Sequence, residues 1–591
     1  MRFARLVLLL VVPQLLSAQQ RKPATAPVAD VAYEVTFTRA TAKRRSVQVA
    51  MRFTAKGGDI LLSLPAWTPG AYEITNFAKW VSAFAPEQNG KPLDWDKLDY
   101  DSWRLRHVAA GPVTVRFAFH ADSLDNAMAW SRDDFLLFNG TNLFLYPEGQ
   151  GFDWPATVTV NTESDWLVAT GMQSKGPRRF GEANYHDLVD KPFFVGMFDL
   201  DSSSVPGVTL RLASYPAGSF TGPAREEFWE RYRKMWRPII EAFGDTPMTN
   251  YTVMQLADTS YHGASGLEHT NSQVDVLAPM LAGNPLLDAF FAHETVHAWN
   301  VKRVRPSDLW PYRYDVAQPT PWLWVSEGIT DYYADLAVVR SGVQQPSDFH
   351  ASLTTKIGNV AEVPPVALED ASLSTWIHPD DGTGYVYYDK GSLAGFMLDV
   401  MIRDASDNRK SLDDVMRTLY RQDYKQGKGF TADEWWKAVS AAAGGKSFAE
   451  FNAKYVDGRE PYPWDAILPL AGLARAREPR LGVSTRGDST GVFVEAVTPG
   501  STAAEAGLQP GDKVLRIGDV EVTGPDFGPE FRRRYAGAEG QDITIVVLRG
   551  GEQRSLSGRI RFEGGHIVED ANASAKATRI RNGILQGTTD K

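Results

Sequence analysis

The chain of 591 residues contains no cysteine. No disulfide can therefore form, and the stability of the protein has to come from the hydrophobic cores of its domains. The same absence limits any metal site to histidine and carboxylate ligands. A chain of this length is too long for a single core, so we expect several domains.

An excess of positive charge is also missing. Lys and Arg total 62 against 72 Asp and Glu, which gives a formal net charge of −10 and a pI near 5.6. Proteins that bind nucleic acid need clustered Lys and Arg to neutralise phosphates, so nucleic acid is not expected as a partner. Apolar residues at 43% and charged residues at 23% are typical of a globular protein.

Long apolar runs are absent except for one near the start, residues 6–16, which contains Pro13. Two arginines precede this run, and the small residues Ser17 and Ala18 follow it. The pattern is typical of a secretory signal, residues 1–18, with cleavage after Ala18. Because the run is too short to span a bilayer comfortably, we expect an exported protein, periplasmic or secreted, without a stable membrane anchor. The alternative is that the run is retained as a permanent membrane anchor.

The rest of the sequence changes its period along the chain, and this predicts a multidomain α+β protein. Residues 30–206 contain short alternating segments such as "PVTVRFAFHA", separated by Gly and Pro, and they predict a β-sandwich-like domain. Residues 207–470 contain longer apolar periods that are typical of helices. The predicted helices are residues 286–301, 325–339, 391–404 and 432–443.

Beyond this helical region, the period returns to two. Residues 470–480 are interpreted as a linker, and residues 478–563 as a further β-rich domain. Residues 564–591 are polar and contain few large apolar side chains, which favours a disordered tail.

"HETVHAWN", residues 293–300, places two histidines four residues apart after a stretch that is typical of a buried helix. At about 3.6 residues per turn, the side chains of His293 and His297 point the same way, with Glu294 beside them. Two imidazoles next to a carboxylate are the arrangement of a zinc hydrolase, in which the carboxylate acts as a base. The alternative is a polar patch on a buried helix that holds no metal.

Two histidines do not complete a catalytic zinc site, because such a site normally has three protein ligands and leaves one position for water. The best downstream candidate for the third ligand is Glu327 in "WLWVSEGITDYYADL", at the start of a predicted helix. Asp331 follows one turn later, where it either orients a metal ligand or is a surface acid. The two motifs together predict one zinc ion per chain.

Three stretches resemble the glycyl aminopeptidase family, a PDZ-carrying branch of the gluzincin zinc metallopeptidases. They are "HETVHAWNVKRVRP", "WVSEGITDYY" and "PAWTPGAY", and the likeness covers nearly the whole chain after the signal. The resemblance implies a thermolysin-like, mainly helical zinc peptidase domain. It also implies that His293, His297 and Glu327 bind zinc and that Glu294 is the general base. The segment between His297 and Glu327 is longer than in better-known relatives, and we expect a loop near the cleft.

"GYVYYDKGSLAGF" contains a candidate for stabilising the oxyanion that forms during peptide hydrolysis. "YDKG" resembles the Y-x-K-G of aminopeptidase gluzincins, which implies that the Tyr388 hydroxyl donates a hydrogen bond to this oxyanion. Tyr385 and Tyr387 are rivals for the role. In the alternative interpretation, all three tyrosines are packing residues.

"GASGLEHTNS", residues 263–272, resembles the strand that binds the substrate amino terminus in related aminopeptidases. The resemblance implies that the Glu268 carboxylate holds the free α-ammonium of a peptide, whose backbone can pair with an edge strand. His269 stands where the best-known branch has asparagine and is a second candidate for substrate contact. In the alternative, Glu268 is a salt-bridge partner and His269 is a buried structural histidine.

"RLGV" and "PGSTAAEAGLQPGD" resemble the PDZ domains attached to exported bacterial proteases. The resemblance implies a groove in which backbone N–H groups around Leu481, Gly482 and Val483 receive the C-terminal carboxylate of a partner protein. The competing interpretation is a structural cap on the catalytic domain.

Three functions are compatible with these residues. The first is an exported zinc aminopeptidase that removes small N-terminal residues, with the preference for Gly or Ala implied by the resemblance alone. The second is a zinc endopeptidase of the same fold, and the third is an inactive scaffold that binds protein C-termini. The intact set of ligands and base argues against the scaffold, because an inactive protein has no physical reason to keep all four groups.

Overall fold

The structure is a computed structural model that describes residues 24–488, 491–524 and 527–591. The predicted signal, residues 1–18, lies outside the described residues. Within the described ranges, no helix is long and apolar enough to cross a membrane. The chain divides into two compact units. Unit 1 comprises the described part of Met1–Thr221 with Met248–Ala282 and Tyr312–Gln318, and unit 2 comprises Gly222–Pro247, Gly283–Pro311 and Pro319–Lys591.

Unit 1 is rich in β-strands because its sequence alternates between apolar and polar residues. In the strand Gly111–His120, for example, Val113, Val115, Phe117 and Phe119 are buried, and the residues between them are more exposed. Its strands are β1 (Val28–Thr36), β2 (Ser46–Ala55), β3 (Gly58–Ser63), β4 (Val81–Gln88), β5 (Lys91–Pro92), β6 (Trp95–Lys97), β7 (Ser102–Val108), β8 (Gly111–His120), β9 (Trp130–Arg132), β10 (Phe135–Phe138), β11 (Tyr146–Pro147), β12 (Ala156–Asn161), β13 (Leu167–Thr170), β14 (Gln173–Gly176), β15 (Arg179–Glu182), β16 (Phe193–Gly196), β17 (Asp199–Val205), β18 (Val208–Tyr215), β19 (Asn250–Ala257), β20 (Ala264–Glu268) and β21 (Ser272–Leu277).

The described strands of unit 1 form four sheets. An eight-stranded sheet has the order β14-β15-β12-β1-β2-β8-β4-β5, and two four-stranded sheets have the orders β13-β16-β10-β9 and β11-β3-β7-β6. A five-stranded mixed sheet, β17-β18-β19-β21-β20, has β20 at its edge. The short helices of unit 1 are α1 (Arg39–Ala42), α2 (Gly140–Leu143) and α3 (Tyr185–Val189).

The end of unit 1 differs from the predicted domain boundary after residue 206. That boundary falls inside a hairpin, because β17 pairs with β18 and places Val205 opposite Val208. The hydrogen bonds of the hairpin continue across the predicted boundary, so the five-stranded sheet stays with unit 1. Tyr312–Gln318, from the long segment before Glu327, also belongs to this unit, and its Tyr314 is buried there with the hydroxyl 2.9 Å from His186 Nδ1.

Unit 2 is mainly helical, and the four predicted helices of the middle region are present with shifted ends. The predicted helix 325–339 begins as a π-helical turn, Trp324–Ile329, before the α-helix. The α-helices are α4 (Pro223–Phe243), α5 (Asp288–Val296), α6 (Thr330–Arg340), α7 (Pro346–Glu362), α8 (Leu368–Ser374), α9 (Val386–Ala405), α10 (Leu412–Gln422), α11 (Ala432–Ala442), α12 (Ala449–Phe451), α13 (Trp464–Ile467), α14 (Thr502–Ala506), α15 (Gly528–Arg534) and α16 (Ala575–Gln586).

The prediction that residues 470–480 form a linker is wrong, because most of this segment is a β-strand. It pairs with a strand that lies much later in the sequence. Leu473–Arg480 lies antiparallel to Arg561–Glu569, with Arg480 opposite Arg561. Residues 481–560, here called the inserted module, lie between the two strands and have a hydrophobic core of their own. The strands of this region are β22 (Leu473–Arg480), β23 (Val483–Asp488), β24 (Gly491–Val497), β25 (Lys513–Ile517), β26 (Val520–Glu521), β27 (Asp542–Arg549), β28 (Glu552–Arg559) and β29 (Arg561–Glu569).

The prediction of a disordered tail over residues 564–591 is also wrong. β29 extends to Glu569, and α16 follows, with the Ser574 side chain accepting a hydrogen bond from the Ala577 N–H at its start. Ala577, Ile580 and Ile584 are buried at helical spacing, and α16 packs against α6 and α9. This periodicity is present in the sequence, but the surrounding polar residues obscure it.

Candidate active site

The two histidines of the octet lie at the end of α5. His293 is in the last turn and His297 is the next residue after the helix, so both imidazoles point to one side. Their Nε2 atoms are 2.9 Å apart, and both side chains are buried. The predicted helix over residues 286–301 is longer than α5, because the chain turns immediately after His297.

Asn300 explains this turn and was not identified from the sequence as a site residue. Its backbone carbonyl accepts a hydrogen bond from His297 Nδ1 at 2.7 Å, so the Nε2 atom of His297 is the one directed at the other possible metal ligands. The Asn300 side-chain amide donates to the Val325 carbonyl at 2.7 Å and to Thr330 Oγ1 at 3.0 Å. Asn300 therefore orients one histidine and also joins the octet to the segment that carries Glu327.

Glu327 lies in the π-helical turn, next to the amino-terminal end of α6. Its Oε2 atom is 3.1 Å from His297 Nε2 and 3.5 Å from His293 Nε2. The following Gly328 allows this segment to approach α9, because a Cβ at position 328 would lie 2.5 Å from the Gly391 Cα. The glycines of "VSEG" and "YDKG" are thus explained by one close backbone contact.

The residues His293, His297 and Glu327 form the one cluster of possible metal ligands found within the described ranges. Ligands of a tetrahedral zinc at 2.0–2.1 Å are separated by roughly 3.3 Å. The observed separations of 2.9, 3.1 and 3.5 Å are close to this value. Two buried imidazoles and one carboxylate, without a thiolate, therefore fit a zinc ion.

The surroundings of these ligands favour a positive charge. Burial lowers the pKa of His293, but the carboxylates of Asp331 and Glu327 outweigh burial and raise that pKa to about 10. Burial raises the pKa of Glu327, yet His297 and His293 hold it well below its usual range. The carboxylates thus stabilise positive charge at the site, which is the electrostatic condition for binding a metal cation.

Charged side chains outside the ligand set lie next to His293. The Nδ1 atom of His293 is 3.6 Å from Asp331 Oδ1, and the other oxygen of Asp331 contacts the ammonium group of Lys356. Lys356, on α7, is buried, and it also lies 2.7 Å from Asp335 Oδ2 and 2.8 Å from Ser392 Oγ. This arrangement favours the interpretation that Asp331 orients a ligand. No sequence motif marks Lys356, which reaches the site through the fold.

Glu294 and one of the three tyrosines lie beside His293, His297 and Glu327, the possible metal ligands that are called the metal cluster below. Glu294 is buried, and its charge contributes to raising the pKa of His293. The ring centroids of Tyr388 and His293 are 5.9 Å apart. Tyr387 is buried with its hydroxyl 3.1 Å from Thr375 Oγ1, and Tyr385 is 65% exposed. The geometry therefore favours Tyr388 over its two rivals as the hydrogen-bond donor.

Glu268 and His269 lie in unit 1, at the end of the edge strand β20. Glu268 is buried. His269 is fully buried, and its Nδ1 atom is 3.2 Å from Asp190 Oδ1. The second Asp190 oxygen accepts hydrogen bonds from the Thr270 N–H at 2.8 Å and hydroxyl at 2.6 Å. Because its ring is enclosed in this network, the geometry favours the alternative in which His269 is a buried structural histidine.

The inserted module contains a groove of about 340 Å³ between the start of β23 and α15. It is lined by the predicted residues Leu481, Gly482 and Val483 on one side and by Phe527 and Phe531 on the other. β23 lies at the edge of the described six-stranded sheet. An edge strand beside a groove of this kind has the geometry to accept a peptide as an added strand.

Three parts of the chain match known protein families. Residues 32–197 match the Peptidase M61 N-terminal domain, residues 287–394 match M61 glycyl aminopeptidase, and residues 493–549 match a PDZ domain. The second match contains the metal cluster, and the third lies within the inserted module. The resemblance inferred from the motifs and the three-part α+β fold class are thereby confirmed.

The fold is shared with a solved structure. The chain is similar to an aminopeptidase N family protein from Idiomarina loihiensis, with a TM-score of 0.71 and 23% identity over 94% of this chain and 100% of the other. An M1 zinc metallopeptidase from Deinococcus radiodurans matches with a TM-score of 0.48 and 16% identity, over 74% of this chain and 96% of the other.

Among curated proteins, the magnetosome formation protease MamE of Magnetospirillum gryphiswaldense is 37% identical over 67 residues. This match covers 11% of the chain, and the chain spans 8% of the length of that protease. The shared part is therefore a short segment of both proteins.

Proposed function

The chain is a zinc metallopeptidase of the M61 type, and from this we propose that it removes single small residues from the amino terminus of peptides. The observation that carries the proposal is the buried Glu268 carboxylate on the edge strand β20, because a carboxylate there can hold a free ammonium group. The preference for Gly or Ala rests on the match to the M61 glycyl aminopeptidases. We also propose one zinc ion per chain, held by His293, His297 and Glu327.

The chemistry assigns a separate task to each group. A zinc ion held by His293, His297 and Glu327 would lower the pKa of a water molecule from about 15.7 toward 7 and so would supply a nucleophile at neutral pH. Glu294 accepts the proton of the attacking water and delivers it to the leaving amine. The Tyr388 hydroxyl donates a hydrogen bond to the substrate carbonyl oxygen as that oxygen gains charge. Glu268 holds the substrate ammonium, so peptides with a free amino terminus are preferred.

The decisive experiment compares free and N-acetylated glycyl and alanyl substrates in the wild type and in Glu268→Ala. Removing the carboxylate leaves the substrate ammonium without its partner, so kcat/KM for free-amine substrates should fall about 10²-fold or more. Acetylated substrates carry no charge at this position, and the variant should discriminate against them less than the wild type does. Zinc content should be unchanged.

Glu268→Gln is the matched control, because it keeps the size of the side chain and removes only its charge. It should lose activity on free-amine substrates by a similar factor and retain zinc. A wild type that cleaves acetylated substrates as fast as free ones, with the same ratio in both variants, would contradict the aminopeptidase assignment. That result would identify an endopeptidase of the same fold.

We propose that the enzyme is exported and works in the periplasm or outside the cell. The support is the apolar run after two arginines in residues 1–18, with small residues at its end. Protein recovered from the extracytoplasmic fraction should begin at Gln19 when its amino terminus is determined by mass spectrometry. An intact amino terminus on protein confined to the cytoplasm would overturn this proposal.

We propose that the inserted module binds the C-termini of proteins. The support is the groove between β23 and α15, in which Phe527 and Phe531 offer an apolar surface beside the backbone of residues 481–483. Calorimetric titration should detect peptides that end in an apolar residue with a free carboxylate and not the same peptides with an amidated end. Equal affinity for both forms would contradict recognition of the carboxylate.

A further inference from the structure

The loop of residues 65–72, "PAWTPGAY", is held rigidly inside unit 1 although it forms no strand or helix. The Trp67 side chain is fully buried, and its indole N–H donates to the Arg313 carbonyl at 2.7 Å. The hydroxyl groups of Thr68 and Thr141 are 2.6 Å apart. A loop fixed in this way cannot yield easily to a group placed against it.

Gly70, at the tip of this loop, lies against the Glu268 carboxylate. A Cβ built on residue 70 would be 2.6 Å and 2.7 Å from the two Glu268 carboxylate oxygens and 2.8 Å from Leu267 Cδ1. These distances are shorter than a van der Waals contact between such atoms, about 3.5 Å. The backbone of Gly70 has φ +109°, a conformation that residues other than glycine rarely adopt. Only glycine therefore allows the loop to approach the carboxylate so closely.

The strand on the other side of this contact is also fixed. The Asn126 side-chain amide donates to Ser265 Oγ at 2.6 Å and to the Gly266 carbonyl at 2.5 Å, both on β20. The Asn126 carbonyl in turn accepts from Asn139 Nδ2 at 2.8 Å. Because β20 is anchored next to Glu268, the carboxylate has little freedom to retreat from position 70.

We propose that Gly70 is a specificity-determining and positioning residue: its backbone holds the Glu268 carboxylate in place and limits the N-terminal residue that fits beside it to Gly or Ala. This inference rests on the proposed role of Glu268 in holding the substrate ammonium. Gly70 limits the room beside the substrate and fixes the position of the carboxylate, and it takes no part in the chemistry of cleavage.

The size limit follows from bond lengths. An ammonium nitrogen bound to a carboxylate is about 2.8 Å from its oxygen. The substrate Cα lies about 1.5 Å further on. The first side-chain atom of the substrate therefore lies about 4 to 5 Å from the Glu268 oxygens. It falls next to the space that a Cβ on residue 70 would enter, 2.6–2.8 Å from atoms of Glu268 and Leu267. A backbone already lying there excludes large N-terminal side chains, and a methyl group on residue 70 would narrow the space further.

The test is Gly70→Ala, assayed on free-amine glycyl and alanyl substrates that share one leaving group. The added methyl group should lower kcat/KM for the alanyl substrate about tenfold or more, mainly through KM, since one methyl group in a fitted pocket changes rates by about 10- to 200-fold. The loss on the glycyl substrate should be smaller, so the ratio of glycyl to alanyl activity should rise. Zinc content should be unchanged, because the ligands are elsewhere.

Gly57→Ala is the matched control. Gly57 also lies in unit 1 and has φ +98°, but the nearest atom to a Cβ there is 3.7 Å away. The control therefore introduces the same backbone strain without a close contact, and its glycyl-to-alanyl ratio should equal that of the wild type. A Gly70→Ala enzyme with the wild-type ratio and KM would overturn the inference.

A double variant covers the case in which Gly70→Ala does not fold. Glu268→Ala removes the carboxylate that the new methyl group would contact, so Gly70→Ala/Glu268→Ala should fold and recover most of the melting temperature that Gly70→Ala loses. The remaining difference from Glu268→Ala should be about the loss that backbone strain causes in Gly57→Ala. A double variant that is as unstable as Gly70→Ala would show that the carboxylate contact is not the constraint and would overturn the inference. If Glu268→Ala itself leaves the ratio of free to acetylated substrates unchanged, the proposed function fails instead, and the two failures are thus distinguished.

Discussion

Glu294 and Glu327 are two buried carboxylates at the proposed zinc site, and we expect them to have different tasks. Glu327 Oε2 lies within 3.5 Å of the Nε2 atoms of both histidines. Glu294 is the residue that follows His293 in the sequence, and its side chain is buried. A ligand and a base should respond differently to mutation. Glu327→Ala should lose both zinc and activity, because only two imidazoles remain and a catalytic zinc site normally has three protein ligands.

Glu294→Gln should retain zinc while its rate falls by roughly 10² to 10⁴, the range for loss of a general acid or base. Zinc is measured by elemental analysis and the rate on a free-amine alanyl substrate. A metal-free Glu294→Gln variant would show that Glu294 is a ligand. Full zinc in Glu327→Ala would require another third ligand.

Lys356 is expected to tune zinc binding from outside the ligand set. Its ammonium group lies between Asp331 and Asp335, and Asp331 faces His293 Nδ1. In Lys356→Met the two aspartates lose their shared counter-charge, so Asp331 is held less firmly against His293. Zinc affinity should fall about 10- to 100-fold, the usual effect of removing a partner of a metal ligand.

The measurement is competition between the enzyme and a chelator for zinc, which does not depend on activity. Lys410→Met is the control, because Lys410 also pairs with an aspartate, Asp414, but is about half exposed at the surface. Such a pair contributes roughly 0 to 1 kcal/mol, so this variant should bind zinc as the wild type does. Equal zinc affinity in Lys356→Met and the wild type would rule out the role of Lys356.

At the scale of elements, α16 stabilises the two helices that support the metal cluster. It packs against α6 and α9. Arg340 of α6 donates to the Ile584 carbonyl at 3.0 Å, and Arg403 of α9 donates to the Thr588 carbonyl at 2.8 Å. The last helix is therefore part of the peptidase core, although the inserted module separates it from that core along the sequence.

Ile580→Ala should lower the free energy of unfolding by about 2 to 5 kcal/mol, because it removes a fully buried side chain from the α16 contact. Lys576→Ala is the control on the same helix. Lys576 forms a surface ion pair with Asp404 at 2.6 Å, and its loss should cost less than about 1 kcal/mol. Urea unfolding of the three proteins gives the comparison. Equal midpoints for Ile580→Ala and the wild type would contradict the packing role of α16.

At the scale of the whole molecule, we expect the inserted module to be removable and the segment that follows it to be required for folding. β22 and β29 pair with Arg480 opposite Arg561, so a short turn can replace residues 481–560 without changing the register of the two strands. β29 also contacts α7, where the Ile567 N–H donates to Thr354 Oγ1 at 2.9 Å. α7 carries Lys356, so loss of β29 should affect the surroundings of the metal cluster.

We expect the protein with residues 481–560 replaced by a two-residue turn to fold, retain zinc and hydrolyse a small chromogenic substrate, because the module has its own core. Truncation after Arg477 also removes β29 and α16, and it should reduce expression and zinc content. Both proteins are compared by soluble yield and metal content. If the excised protein fails as completely as the truncated one, the module is a structural cap.

The sequence by itself determined the parts of this protein that depend on local periodicity. Helical spacing places His293 and His297 on one side, and "VSEG" supplies Glu327 at the start of the next helical segment. Alternation of apolar residues gave the β-rich first domain, and the PDZ motif gave the third. These features were predictable because each is encoded within one or two turns of helix or one strand.

The tertiary structure alone decided which distant residues meet. Asn300 and Lys356 orient the two histidines through contacts with other helices, and no motif marks either residue. The approach of Gly70 to Glu268 joins two segments far apart along the chain. β22 pairs with β29, and these two strands contain residues that were predicted to form a linker and a disordered tail. Short-range patterns fix which face of an element is apolar, but they do not specify which other element covers that face, and this choice is made by packing of the whole chain.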